Sequence, residues 1–191
     1  RQAALEHIGA ATEHVLSMAD DLLDIAKIEA DALPIRVEPV ELCALLHEVL
    51  ALLATLAAER NVILRPAVYA GRDAVRTDRR RLRQVLINLI TNGVRYNCAG
   101  GWVEVGVKDS GASTVTVAVR DSGRGIPAEM MSRLFTPFDR LGAECSAEPG
   151  AGLGLVVARA LTEAMGGTLE IRSAAEVGTT AEITLPAVLC G

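Results

Sequence analysis

The stretch WVEVGVKDSGASTVTVAVRDSGRGIP, residues 102–127, decides how the rest of this chain is read. Within it, 102–108 and 114–120 each alternate Val with small or polar residues at period two, the pattern of strands with one buried face. Asp109, Ser110 and Gly111 join them as a hairpin. The second strand runs straight into Asp121, Ser122, Gly123, Arg124, Gly125, Ile126 and Pro127. A carboxylate at a strand end can accept a hydrogen bond from an exocyclic amine, and two glycines let the backbone approach a flat ring. That combination suits adenine. A plain glycine turn leading into a helix with Pro127 in its first turn has the same letters.

Upstream, 79–96 reads as a helix with Thr77 and Asp78 as N-cap candidates and Leu82, Val85, Leu86, Leu89 and Ile90 on its buried face. Asn88, Asn92 and Arg95 then share another face, with Tyr96 beside them. The amide oxygen of Asn92 can complete the oxygen shell of a Mg²⁺ ion that keeps its waters and substrate phosphates, and Arg95 would neutralise those phosphates. Taken alone, such a row also describes a solvated helix face. Downstream come a short helix near 128–134, a loop at 139–151, a helix at 153–165 and strands at 168–173 and 180–185. Gly150, Ala151, Gly152, Leu153, Gly154 and Leu155 open that last helix, where backbone N–H groups and the macrodipole favour a phosphate. The glycine spacing is neither the dinucleotide fingerprint nor a P-loop.

The first 33 residues hold no Pro and one Gly, and Leu5, Ile8, Thr12, Val15, Ala19, Leu22 and Ala26 form a heptad stripe. So short a helix cannot bury such a stripe by itself. A dimerisation arm is the preferred reading, and packing within the chain is the other. Pro34 closes it, followed by an extended 35–40, an Ala/Leu-rich helix at 41–60, a strand at 61–68 and a short strand leading to Thr77. The expected division is 1–33 as a helical arm and 34–191 as one domain. Its fold class is an α/β (α+β) two-layer sandwich, one mixed and mainly antiparallel sheet with helices on one face.

Composition narrows the function. Nineteen basic and twenty-four acidic side chains leave a net charge of −5, which argues against generic nucleic-acid binding. The run Arg79, Arg80, Arg81 and Arg83 reads as a solvated helix face, since no aromatic residues interleave with it. Half the residues are hydrophobic and 3% aromatic, so the core is aliphatic. Cys43, Cys98, Cys145 and Cys190 show no metal-ligand or disulfide spacing and read as reduced thiols of a cytoplasmic protein. The apolar run 49–58 is too short to span a bilayer, so no direct membrane contact is expected. A start at Arg1 reads as a piece of a longer protein.

Together, in this order and on these elements, the motifs resemble the catalytic and ATP-binding domain of sensor histidine kinases, in the superfamily of gyrase, Hsp90 and MutL. RQVLINLITNGVRY is similar to the N box, DSGRGIP to the first glycine box, LFTPFDR with Phe135 and Phe138 to the F box, GAGLGL to the second glycine box, and Gly178-Thr179 to the final Gly-Thr. MADDLLDIAKIEA, residues 18–30, resembles the end of the second dimerisation helix. The resemblance implies ATP and Mg²⁺ as cofactors, with Asn92 holding the ion, Arg95 and Tyr96 attending phosphates and ribose, and Asp121 reading the adenine amine. Gly123, Gly125, Ile126, Gly150, Gly152, Leu153, Gly154 and Thr179 would complete the nucleotide site, and 139–151 would be a lid, mobile until nucleotide binds. Asn88 stands where hydrolysing members are expected to carry a Glu, and an amide cannot take a proton from water.

The resemblance further implies γ-phosphoryl transfer to a histidine outside this chain, then to a response-regulator aspartate, in a homodimer joined through the N-terminal helix. His7, His14 and His47 lack the acid-then-Pro context of a phosphoacceptor and read as surface or interface residues. Gly93, Arg95 and Asn97 depart from the family's usual Ala, Lys and Thr or Ser. They keep a second reading open: a non-catalytic signalling scaffold that dimerises and binds a partner.

Overall fold

The structure, a computed structural model, describes residues 12, 16, 18–28, 30, 32–70, 73–110, 113–141 and 151–188. Helix α1 covers 18–28. It is followed by β1 (Glu38–Glu41), α2 (Leu42–Glu59), β2 (Ile63–Ala70), β3 (Ala74–Thr77), α3 (Arg79–Arg95), β4 (Trp102–Asp109) and β5 (Thr114–Asp121). A 3₁₀ turn (Ala128–Arg133), α4 (Gly154–Ala164), β6 (Thr168–Ala174) and β7 (Gly178–Pro186) complete the order. The short helix expected at 128–134 is thus 3₁₀, closed by bonds such as Met130 N–H to the Pro127 carbonyl at 2.9 Å.

Five strands form the main sheet in the order β2-β4-β5-β7-β6, parallel between β2 and β4 and antiparallel elsewhere. Alternation divides its faces. Val103, Val105, Val107, Val115, Val117, Val119, Ile183 and Leu185 are buried in the core, joined by Leu82, Val85, Leu86, Leu89 and Ile90 of α3. On the other face Lys108 Nζ donates to Glu182 Oε1 at 2.9 Å, and Arg172 lies 3.1 Å from the second oxygen. The helix layer starts where expected: Asp78 caps α3, its side chain accepting from Arg81 N at 3.0 Å.

One sheet was expected, and β1 with β3 departs from it as a separate antiparallel ribbon, joined to the chain just after β7 by a Val75–Ala187 bridge and a bond from Val188 N to the Ala74 carbonyl at 3.2 Å. Each ribbon strand runs almost directly into a helix, α2 after Glu41 and α3 after Asp78. The docking of those helices therefore sets the ribbon's place. Helix α2 is long and apolar enough, by length and composition alone, to cross a membrane. Its Leu42, Leu45, Leu46, Val49, Leu53 and Ala57 are buried in the core, which accounts for that apolarity. The Arg run is tied up in ion pairs: Arg79 and Arg83 both bind Glu48 of α2, and Arg81 binds Asp24.

Helix α1 packs through a face other than the heptad stripe. Asp24 is buried and Met18, Asp21, Ile25 and Ile28 are half-buried, whereas Thr12, Ala19, Leu22 and Ala26 of the stripe are exposed. Leu5, Ile8, Val15, His7 and His14 lie outside the described residues. The attachment is polar at its centre. Arg81 Nη1 donates to Asp24 Oδ2 at 2.7 Å and to Gln84 Oε1 at 3.1 Å, and Gln84 Nε2 donates to Asp24 Oδ2 at 3.0 Å. Removing one partner of such a buried pair strands the other charge, so Asp24→Ala is expected to lower stability by about 3 kcal/mol in urea denaturation. The apolar pair Asp24→Leu with Arg81→Met should recover most of that loss.

Candidate nucleotide site

Helix α3 carries both the core and the site because its two faces face different things. While its leucines point into the sheet, Asn88, Asn92, Arg95 and Tyr96 line one wall of a cleft of about 900 Å³. Asp121, Arg124, Gly125, Ile126 and Pro127 form the second wall, and Gly152, Leu153 and Gly154 at the head of α4 form the third. Thr179 and Ala181 of β7 form the floor at the sheet end, and Met18 and Asp21 of α1 reach its mouth. Burial, with Asp24 and Asp20 nearby, pushes the Asp21 carboxyl up to about 6.

Register places the carboxylate. Asp121, last in β5, pairs with Thr179, second in β7. Asp121 Oδ1 accepts from Gly123 N at 2.8 Å and from Thr179 N at 3.2 Å, so Oδ2 is left to a ligand. Burial raises the Asp121 pKa above the usual carboxylate value, against the opposing pull of those two N–H groups. The turn after it requires glycine. At Gly125 φ is +65° and a Cβ would run into the Ala174 carbonyl, and at Gly178 φ is +122° and a Cβ would run into the Asp121 carbonyl. Gly123 is not part of the cleft wall and serves the site through its bond to Asp121.

The amides of α3 divide their work. Asn88 Nδ2 donates to the Gly154 carbonyl at 3.2 Å, tying α3 to the first turn of α4. The Asn92 side chain lines the cleft with no hydrogen bond to the described residues, its amide oxygen available to a cation. Among the described residues no three His, Cys, Asp or Glu side chains gather into a metal site. One amide oxygen suits Mg²⁺, which keeps its waters and enters with phosphates.

Eleven of the expected residues thus meet in one cleft: Asn88, Asn92, Arg95, Tyr96, Asp121, Gly125, Ile126, Gly152, Leu153, Gly154 and Thr179. Gly150, and residues 142–150 of the expected lid, lie outside the described residues. Several supporting side chains were not foreseen. Asn97 donates to the Gly93 and Trp102 carbonyls at 2.9 and 3.0 Å and accepts from Cys98 N at 2.9 Å. Arg124 lies 4.9 Å over the Tyr96 ring, and Arg133 grips Asp139 with two bonds of 2.7 and 3.0 Å. Ser173 bonds the Ile126 N–H at 2.9 Å and lies 2.8 Å from the Thr179 hydroxyl. Only Ser173 left a trace in the sequence, as the polar residue facing Thr179 across a hairpin.

Comparison with known proteins fits this geometry. Residues 77–189 match the family described as histidine kinase-, DNA gyrase B-, and HSP90-like ATPase. The cell-division control histidine kinase PdhS of Brucella anthropi is 34% identical over 191 residues, which is 95% of this chain and 18% of the relative. The chain therefore spans less than a fifth of that curated relative. Full-length ShkA, solved in complex with AMPPNP, superposes with a TM-score of 0.86 at 25% identity over 100% of this chain and 40% of that one. The histidine kinase ThkA, solved in complex with the response regulator protein TrrA, shares the fold with a TM-score of 0.67 at 23% identity, over 91% of this chain and 49% of that one. A cleft built from these boxes on this sheet, and a family match over more than half the residues, make the chain a member of the histidine kinase-, DNA gyrase B- and HSP90-like ATPase family.

Proposed function

We propose that this chain is the ATP-binding catalytic core of a two-component sensor histidine kinase. In this reading it donates the γ-phosphoryl group of ATP to a histidine outside the chain, from which the group passes to a response-regulator aspartate. The observation that carries it is the convergence of Asn88, Asn92, Arg95, Asp121 and Gly152 to Gly154 on one cleft. Asp121 Oδ2 accepts the adenine amine, the turn at Gly125 and Ile126 lets backbone lie against the ring, and Arg95 neutralises phosphate charge. Asn92 would hold Mg²⁺, which would supply positive charge to offset that of the phosphates. Asn88, spent on the Gly154 carbonyl, has no basic atom for a water proton, so ATP persists in the cleft until a histidine arrives in line. Steady hydrolysis is correspondingly slow.

The likeness to kinases such as PdhS supports the kinase assignment, and the ThkA–TrrA complex supports a response regulator as partner. The open heptad face of α1 supports a second copy of the chain as the helix's partner, with 1–33 as the dimerisation unit and 34–191 as the catalytic one. The cytoplasm, where ATP is found, is the location this function requires.

Calorimetric titration with a non-hydrolysable ATP analogue and Mg²⁺ tests the reading. Saturable binding is expected, weakened at least about tenfold by Asp121→Asn and by Asn92→Ala, the worth of one charge-assisted contact. A folded parent chain that binds nothing would refute the assignment. Acidity gives a separate test. Because the Asp121 pKa is raised, falling pH protonates the carboxylate earlier than an ordinary aspartate, and affinity should fade there first. For folding the sign is opposite: a raised aspartate favours the folded state below its unfolded pKa and loses that contribution as pH rises through the folded one. At pH 7, Asp121→Asn should therefore match or exceed the parent in thermal denaturation while binding nucleotide more weakly.

A further inference from the structure

The hydroxyl of Ser173 is fully engaged, and that has a chemical consequence for the cleft. Its oxygen lies 2.9 Å from Ile126 N, 2.9 Å from the Gly178 carbonyl oxygen and 2.8 Å from Thr179 Oγ1. A serine hydroxyl has one proton to give and two lone pairs to receive with. The Ile126 N–H can only donate and the Gly178 carbonyl can only accept. Ser173 must therefore give its proton to Gly178 and receive from Ile126. One lone pair remains, and Thr179 Oγ1 can satisfy it only by donating.

The Thr179 proton is thereby turned back into the β6–β7 pairing, and Thr179 Oγ1 offers the cleft lone pairs alone. Beside it stands Asp121, also an acceptor, linked to Thr179 through the residue's own backbone N–H at 3.2 Å. Two acceptors side by side match the two protons of a purine 6-amino group. They oppose the lone pairs of a 6-oxo group. We propose that Ser173 is a specificity-determining positioning residue: by orienting the Thr179 hydroxyl it makes the cleft select 6-amino over 6-oxo purine nucleotides. The inference rests on the nucleotide-binding reading above and adds the residue that sets its base preference.

Titration of the parent chain with the non-hydrolysable analogues of ATP and of its 6-oxo counterpart ITP, each with Mg²⁺, measures the preference. In Ser173→Ala the Thr179 hydroxyl is free to turn and donate, and the ATP-to-ITP affinity ratio is expected to fall about tenfold, the worth of one hydrogen bond gained and lost. Ser173→Thr, which keeps the oxygen, should preserve the ratio. Thr179→Val should weaken ATP alone, and Ser173→Ala added to it should leave the ratio where Thr179→Val put it. The Thr179→Val measurement stands without the Ser173→Ala chain should that variant not fold. Equal weakening of both nucleotides in Ser173→Ala or in Thr179→Val would mean a merely structural role and overturn the inference, while ATP binding by the parent would leave the nucleotide-site reading intact. A parent chain that binds neither nucleotide overturns both.

Discussion

The pairing of β5 with β7 is the constraint on which the site depends. Because side chains alternate faces along a strand, a slip of one residue would exchange the two faces of β7. In the observed register Val117 faces Ile183 and Val115 faces Leu185 in the core, and this same count places Asp121 opposite Thr179 at the strand ends. Burial of the valines therefore sets the position of the carboxylate. The Thr179 N–H bond to Asp121 and the forced glycine at Gly178 are both consequences of that one alignment, and the β6–β7 register then adds Ser173 as the partner of Thr179. The core face and the ligand face are held by a single count along the chain.

Helix α3 meets the sheet under a comparable constraint. Its buried stripe fixes rotation about the helix axis, and rotation is what aims Asn88, Asn92 and Arg95 into the cleft. Its third surface is taken by α1, through Asp24 on Arg81 and Gln84. An ion pair this deeply buried gives little net stability, but it specifies one seating, since any other leaves a charge stranded. That seating brings Met18 and Asp21 to the mouth of the cleft. The arm and the nucleotide site are consequently in physical contact, joined by two turns of α3.

Much of this was legible in the chain itself. The valine alternation of β4 and β5 and the aliphatic stripe of α3 are local patterns, and they foretold their elements to within a residue or two. The cleft followed from three motifs whose elements had been placed correctly. What could not be read depended on non-local partners. Parallel pairing of β2 with β4 and the separate β1–β3 ribbon are choices among strands distant in sequence. The stripe on α1 was visible, but the face that docks is decided by Asp24, an acidic residue that periodicity reads as solvent-facing until Arg81 is known to lie beneath it. The bonds of Ser173 and Asn97 could not be read for the same reason: a lone polar side chain does not announce its partners.

Two of the departures from the family pattern, Gly93 and Asn97, are matched by their surroundings. Glycine in a helix interior is unfavourable by about 1 kcal/mol relative to alanine, which makes Gly93 look like decay. It is, however, buried where a Cβ would sit 3.2 Å from Val103 Cγ2 and 3.4 Å from the Asp121 Cβ. The branched Val103 at the head of β4 fills the space an alanine methyl would take, so the pair is a trade of volume between neighbours. Asn97 completes the exchange. Its amide caps the Gly93 carbonyl and crosses to the Trp102 carbonyl, holding the end of α3 against the start of β4 at the point where the glycine loosens the helix. Gly93, Asn97 and Val103 thus form one compensated unit beneath Asp121.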